Sequence, residues 1–247
     1  MSGIMLASSG ILSSKQHSGF YGPAPSLYSL SASAYNVQVT LPANGLLIYT
    51  FCGIVQTGYG FSISNVIFGN STRPFTQRYG TGSVAGTGGN YDFILYYYVN
   101  KTGSSITGYI SRTLSLPTNN SLAESWQVFT GVNPSNPFYT SSTSTSGSYT
   151  GISGNFGYPS ISLSNIPAYT TPIVYFAGKS GLNAKAITGW TSTASSAGSY
   201  SGYTCSQMGF YKQYTTATSS DAATMTTQVG TTATPTFYAW DILQPAS

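Results

Sequence analysis

The chain has 247 residues, of which only 5% are charged and 40% hydrophobic, and its net charge is +4. Ordinary soluble domains carry about 25% charged residues, so Ser, Thr, Asn, Gly and Tyr must keep this surface wet. The length fits one large β-sandwich or two small domains. The 21 Tyr, 12 Phe and 3 Trp exclude compositional disorder, which requires few aromatics and a high net charge. A membrane-spanning helix needs about 18 or more apolar residues in a row. The runs at 46–55 and 93–99 are shorter and contain Tyr, Thr or Gly, so no membrane span is expected. Arg73, Arg78, Lys101, Arg112, Lys179, Lys185 and Lys212 are scattered rather than gathered in a basic stripe, so no nucleic-acid partner is expected.

In chain order, residues 1–35 read as an extended arm rich in Ser, Gly, Ala and Pro. Its sparse apolar positions are Ile4, Leu6, Ile11, Leu12, Phe20, Tyr21, Leu27 and Leu30. Such a segment buries too little to offset its own chain entropy, so either its own sandwich or a neighbouring subunit must hold it. Strand addition to a neighbour's sheet edge is one physical route. Residues 1–14 carry no positive charge before their apolar positions, and Ser and Gly interrupt the apolar stretch, unlike a secretory signal. The expectation is a viral protein released from its host rather than a secreted pilin.

From residue 36 the pattern is one of short strands and turns, expected as a single β-sandwich over 36–247. Residues 36–41 alternate polar and apolar, as a half-buried strand does. Pro42, Asn44 and Gly45 then make a turn. Residues 46–55 are apolar on both faces, which predicts a central, doubly covered strand. Residues 61–68 follow, then a Gly-rich loop at 80–90, then the aromatic strand 91–99. Further strands are expected at 104–116, 124–130, 172–177, 186–191, 205–214, 222–229 and 236–243. The Ser/Thr stretch at 140–150 reads as a low-complexity loop. No segment sustains a helical period, no solenoid-type repeat period is present, and strand following strand at this spacing points to an all-β sandwich or barrel.

The order of these strands resembles a jelly-roll-like antiparallel β-sandwich domain of phage and archaeal-virus structural proteins and prokaryotic surface proteins. The resemblance rests on Gly45-Leu46-Leu47-Ile48-Tyr49-Thr50-Phe51, on Ile63-Ser64-Asn65-Val66 running into Gly69-Asn70, and on Ile94-Leu95-Tyr96-Tyr97-Tyr98-Val99. Its most specific piece is the turn Phe129-Thr130-Gly131-Val132-Asn133-Pro134-Ser135-Asn136-Pro137-Phe138, and Phe237-Tyr238-Ala239-Trp240-Asp241-Ile242 closes it. It covers roughly residues 36–244. It implies a structural or adhesive role in a virion or on a cell surface, outside the cell, with no shared catalytic residues and no cofactor.

The residues themselves offer little chemistry. Acid–base catalysis needs a His or a carboxylate pair with separated pKa values. The candidates are Asp92, Glu124, Asp221, Asp241 and His17, each read as a strand-end, turn or arm residue. No Gly-x-Ser-x-Gly elbow, metal-ligand cluster or calcium loop occurs, so no metal site is expected. With so few titratable groups, stability is expected to vary little with pH. Cys52 and Cys205 read either as a disulfide or as two buried thiols. Asn70, Asn100 and Asn119 begin Asn-x-Ser/Thr sequons at expected turns, as candidate glycosylation sites. Two roles follow from this reading. One is an assembly subunit, joined to copies of itself and to other virion or filament proteins through the arm and the exposed face of Tyr96 and Tyr98; these rings packing in their own core is the bland alternative. The other is an adhesin head binding host-surface glycans, for which Trp190, Tyr200 and Tyr203 are the candidates.

Overall fold

The structure is a computed structural model that describes residues 22–31, 37–55, 61–70, 72–80, 83–84, 90–115, 120–139, 145–148, 160–178, 186–193, 195–200, 203–226 and 235–246. Every regular element among them is a strand, and every named strand pairing is antiparallel. The all-β sandwich expected from the sequence is therefore what forms.

Two strands organise the rest. β3 (Leu46–Val55) and β12 (Thr171–Gly178) are apolar on both faces, so each must be covered on both sides. Around β3 lies a five-stranded sheet in the order β1 (Ser26–Ser31), β9 (Asn120–Thr130), β3, β7 (Asn90–Val99), β5 (Thr76–Tyr79). Around β12 lies a second sheet in the order β10 (Thr145–Ser148), β17 (Pro235–Leu243), β12, β15 (Tyr203–Tyr211), β13 (Thr191–Ser192), with β14 (Ser196–Tyr200) also on β15. These inner sheets face one another. Leu46, Ile48, Cys52, Phe93, Leu95 and Phe129 from the first meet Ile173, Tyr175, Ala177, Cys205 and Leu243 from the second.

The outward faces are covered in turn. β2 (Gln38–Leu41), β8 (Ile106–Ser115), β4 (Phe61–Phe68) and β6 (Ser83–Val84) form an outer sheet. Val39, Leu41, Ile63, Phe68 and Ile110 on it pack on Leu47, Tyr49, Phe51, Ile94 and Trp126. On the other side β11 (Ser160–Ile166) pairs with β16 (Thr218–Thr224), and Ile161, Leu163, Ile166 and Ala223 cover Val174, Phe176, Phe210, Trp240 and Ile242. The result is four stacked layers with three apolar interiors.

The two halves repeat one plan. The inner-sheet orders correspond strand for strand, β1 to β10, β9 to β17, β3 to β12, β7 to β15 and β5 to β13. Each central strand is entered through the same turn, Leu41-Pro42-Ala43-Asn44 in one half and Ile166-Pro167-Ala168-Tyr169 in the other. The last residue of each turn is left-handed, with φ of 54° at Asn44 and 58° at Tyr169. The amide of Asn100 donates to the carbonyl of Gly45, and that of Tyr214 to Thr170, the matching position. Trp126 lies opposite Tyr49, and Trp240 opposite Val174, again at matching positions. Across the central interior β9 touches β15 while β17 touches β7. That reciprocal contact is what a two-fold axis between the halves produces.

The arm ends inside this plan. Over Ser26–Ser31 it is an edge strand on β9, as β10 is on β17, and Gly22 donates its amide to the carbonyl of Ala246. The Thr171 hydroxyl donates to the Pro25 carbonyl at 2.5 Å, and the Gln213 side chain donates to both Ala24 and Pro25. Of the two holders the sequence left open, the chain's own sandwich holds this segment. Ile4, Leu6, Ile11, Leu12, Phe20 and Tyr21 lie outside the described residues.

Elsewhere the expected elements shift. The 140–150 stretch, expected as a loop, contains β10, paired with Phe237–Trp240. The strand expected at 186–191 is reduced to a bridge between Ile187 and Met225 and the start of β13. The alternating β11 was not expected at all.

The inner sheets approach closely where β14 crosses β9. A Cβ placed on Gly198 would lie 1.8 Å from the carbonyl oxygen of Leu122. Ala at this position would gain about 0.4–1 kcal/mol from a less flexible unfolded chain, and overpacking against backbone costs about 1–3 kcal/mol. Gly198→Ala is therefore expected to destabilise by about 1 kcal/mol net. Denaturant unfolding of the variant checks this, and an unchanged midpoint would contradict the close approach.

Candidate functional site

The three carboxylates whose side chains are described are each engaged in an ion pair. Glu124 accepts from Arg112 Nε at 2.5 Å and from the Tyr49 hydroxyl at 2.7 Å. Asp241 takes two bonds from Arg78, 2.9 and 2.8 Å long, and one from the Tyr79 hydroxyl at 2.8 Å. Asp221 accepts from Lys212 Nζ at 2.7 Å and from the hydroxyl of Tyr214. One cation and one phenol per carboxylate is the common pattern. Each group ties strands together: Arg112 on β8 to β9, Arg78 on β5 to β17, Lys212 beyond β15 to β16. Among the described residues no group of three or more His, Cys, Asp or Glu could hold a metal. His17 and the Asp92 side chain lie outside the described set.

The Asp241 cluster joins the two halves. Asp241 is 1% exposed and sits in the central interior at the position where the other half has Gln127. Arg78 closes over it with its guanidinium 4.7 Å from the centre of the Phe138 ring. Beside it runs a polar seam. Tyr175 donates to Gln127 at 2.7 Å, Thr50 and Ser125 share a 2.7 Å bond, and the Gln207 amide donates to the carbonyls of Thr50 and Ala123. Nothing in sequence spacing announces these partners: Tyr175, Gln207 and Arg78 reach across from the opposite sheet, and Thr50 meets Ser125 from a neighbouring strand far along the chain.

The other expected positions sort as follows. Tyr96 is 6% exposed and stacks on Tyr49 at 6.2 Å, so it belongs to its own core and offers no surface. Tyr98 is half-buried against Phe68 and Phe75. Trp190 is 9% exposed within the β11–β16 interior and cannot stack on a sugar. Tyr200 and Tyr203 pair across the β14–β15 hairpin, and their side chains lie outside the described set. Cys52 and Cys205 are both buried and no disulfide joins them; the Cys205 thiol donates to the Cys52 carbonyl at 3.5 Å. Asn100 is fully buried, its side-chain amide donating to the carbonyls of Leu41, Pro42 and Ser104, so it is no glycosylation acceptor. Asn70 is exposed and its side-chain oxygen accepts from Thr72. Asn119 lies outside the described residues.

Among the described residues four large apolar side chains are exposed. Tyr28 is 56% and Leu30 43% exposed, both on β1. Tyr109 on β8 and Tyr169 in the turn before β12 are 48% and 43% exposed. No helix among the described residues is long and apolar enough to cross a membrane. No family model matches the chain, and neither a curated protein nor a solved structure matches it.

Two outcomes follow from the ion pairs. Removing the partner of a buried charge leaves it uncompensated and costs about 3–5 kcal/mol, so Arg78→Ala, which strands the 1%-exposed Asp241, is expected to lose that much in denaturant unfolding. Lys212→Ala, at a half-exposed pair, should lose about 1 kcal/mol or less; equal losses at the two sites would contradict the burial difference. The second outcome concerns pH. Burial raises the Asp221 pKa, but bonds from Lys212, Tyr214 and the Ala222 amide outweigh it and hold the carboxyl below its usual value. Its stabilisation is present above about pH 3.9 and is lost as pH falls through the lowered folded value. Burial pushes the Tyr49, Tyr175 and Tyr214 phenols up, with Glu124, Asp241 and Asp221 adding to it respectively. Their stabilisation is complete below about pH 10 and is lost above it. Melting temperature followed by near-UV circular dichroism should be level between about pH 4 and pH 9 and fall on both sides.

Proposed function

We propose that the chain is a non-enzymatic structural subunit of a virus particle or surface assembly, acting outside the cell and joined to copies of itself. The observation that carries this reading is the β1 edge. Strand edges are templates for pairing with another chain, and monomers blunt them with charge, Pro or bulges. β1 has a bulge between Leu27 and Ser29 but presents Tyr28 and Leu30 with no charged residue between Ser26 and Ser31. Residues 1–21, with their own apolar positions, lead directly into it. The engagement of Glu124, Asp221 and Asp241 in internal ion pairs supports a structural rather than a catalytic role. A jelly-roll-like kinship with virion and surface proteins is part of the same proposal.

The test is mass in solution by light scattering on a sizing column. The full chain is compared with a chain lacking residues 1–21 and with the double variant Tyr28→Lys, Leu30→Lys. The truncation stops short of β1, because removing that strand would bare β9 and confuse assembly with unfolding. The full chain should form oligomers that grow with concentration, and both altered chains should shift towards monomer. A full chain that stays monomeric at every concentration sinks the proposal.

A further inference from the structure

A groove of about 330 Å³ opens where the segment 73–79 changes sheets. Through Arg73 to Phe75 this segment bonds to β4 of the outer sheet, and from Thr76 it pairs with β7 of the inner sheet. The pairing on β7 stops at Thr76 opposite Tyr97, so the edge of β7 at Tyr98 and Val99 has no neighbour from that segment and lines the bottom of the groove. Pro74 and Thr76 make one wall, and the turn with Pro134, Ser135 and Pro137 makes the other.

Both rims are rigid for the same reason. Asn133 accepts through its side-chain oxygen from the amides of Ser135 and Asn136. The buried Asn100 accepts from the amide and hydroxyl of Thr102, which fixes Lys101 and Thr102 on the opposite rim. The two tyrosines at this edge point to opposite faces of β7, and each ring is fixed by its own neighbours. Tyr97 meets Phe138 edge-on at 4.9 Å, and Tyr98 is held by Phe68 at 5.7 Å. A groove built this way is preorganised, so binding costs little ordering entropy.

We infer that this groove binds a carbohydrate of one or two rings. Its volume lies near the lower end of small-ligand sites, about 300–1,000 Å³. Pro74, Pro134 and the accessible parts of the half-buried Tyr97 and Tyr98 offer apolar surface for the C–H side of a sugar; Thr76 and Ser135 offer hydroxyls for its edges, and the Thr102 hydroxyl, which donates to Asn100, can still accept. Lys101 supplies a charged donor, and among the described residues no carboxylate lines the groove. A proline-rich peptide would instead need a row of parallel aromatic ridges, and here prolines already form the walls.

The experiment is saturation-transfer NMR on the full chain with millimolar methyl glucoside, methyl mannoside, methyl galactoside, maltose and glucuronic acid, and a proline-rich decapeptide as comparison. At least one sugar should receive saturation. Ser135→Trp, which fills the groove from an exposed rim position, should abolish the transfer while leaving the melting temperature unchanged. Lys101→Ala should weaken binding by about tenfold, the weight of one hydrogen bond to a charged group. The inference is overturned if no sugar receives saturation, if Ser135→Trp binds as well as the parent chain, or if the peptide alone binds.

Discussion

A strand that is apolar on both faces has no stable place at a surface, and β3 and β12 both have that character. Burying the side chains of Leu46–Cys52 requires a layer on each side, and Thr171–Gly178 requires the same. Two such strands can share one layer between them by facing each other. That leaves one outward face each, covered by β2-β8-β4-β6 on one side and β11-β16 on the other. The four-layer stack is thus the most economical burial of two doubly apolar strands. Full burial of each large apolar side chain contributes about 1.5–3 kcal/mol, and most of the largest buried side chains lie on or against these two strands.

Sharing a central interior raises a second problem, because a sheet interface without polar landmarks specifies its register weakly. The seam of Thr50, Ser125, Gln127, Tyr175 and Gln207, with the Asp241–Arg78 pair beside it, supplies such landmarks. A slip of one residue would turn Gln127 and Asp241 towards the outer interiors, leaving buried polar groups without partners at about 1–3 kcal/mol each or more for the charge. The interface can thus be specific while carrying few charges. Tyrosine serves the same economy: in each of the three ion pairs a phenol supplies a donor that an ordinary protein would take from a second charged residue.

Much of this was legible in the sequence and some was not, for identifiable reasons. The strands at 46–55, 61–68 and 91–99 could be read because their runs are strongly apolar and bounded by turn residues. β10 was missed because Thr145–Ser148 has strand geometry without strand composition; its pairing with Phe237–Trp240 comes from the partner. β1 was read as an arm because its alternation is half Ser, though its partner β9 lies far along the chain. The repeat escaped because only the Pro-Ala turns and the two tryptophans are shared in sequence, while the rest is shared as hydrogen bonding. The burial of Asn100 and Trp190 could not be seen, since a turn-like context reads the same whether the turn faces water or a core. The Tyr96 ring was ambiguous in sequence because β7 is aromatic on both faces, and only the cover supplied by β2, β8 and β4 decides it.

Where the two halves differ shows where the molecule has been freed from its own symmetry. The matched positions Trp126 and Trp240 are both buried, and the turns before β3 and β12 keep the same backbone, because each half needs them to close its sandwich. Gln127 and Asp241 match in place but not in charge, since only the second faces Arg78. The segment 131–139 runs from the end of one half towards the other, fixed by the amide of Asn133 on Gln244, by that of Tyr139 on Ile242, and by Val132 and Phe138 buried in the central interior. Between those anchors only the tip, with Ser135 and Asn136, is exposed, so substitutions there leave the core contacts of Val132 and Phe138 in place. The groove lies between that tip and the end of β7, where the pairing partner of β7 has turned away to the outer sheet.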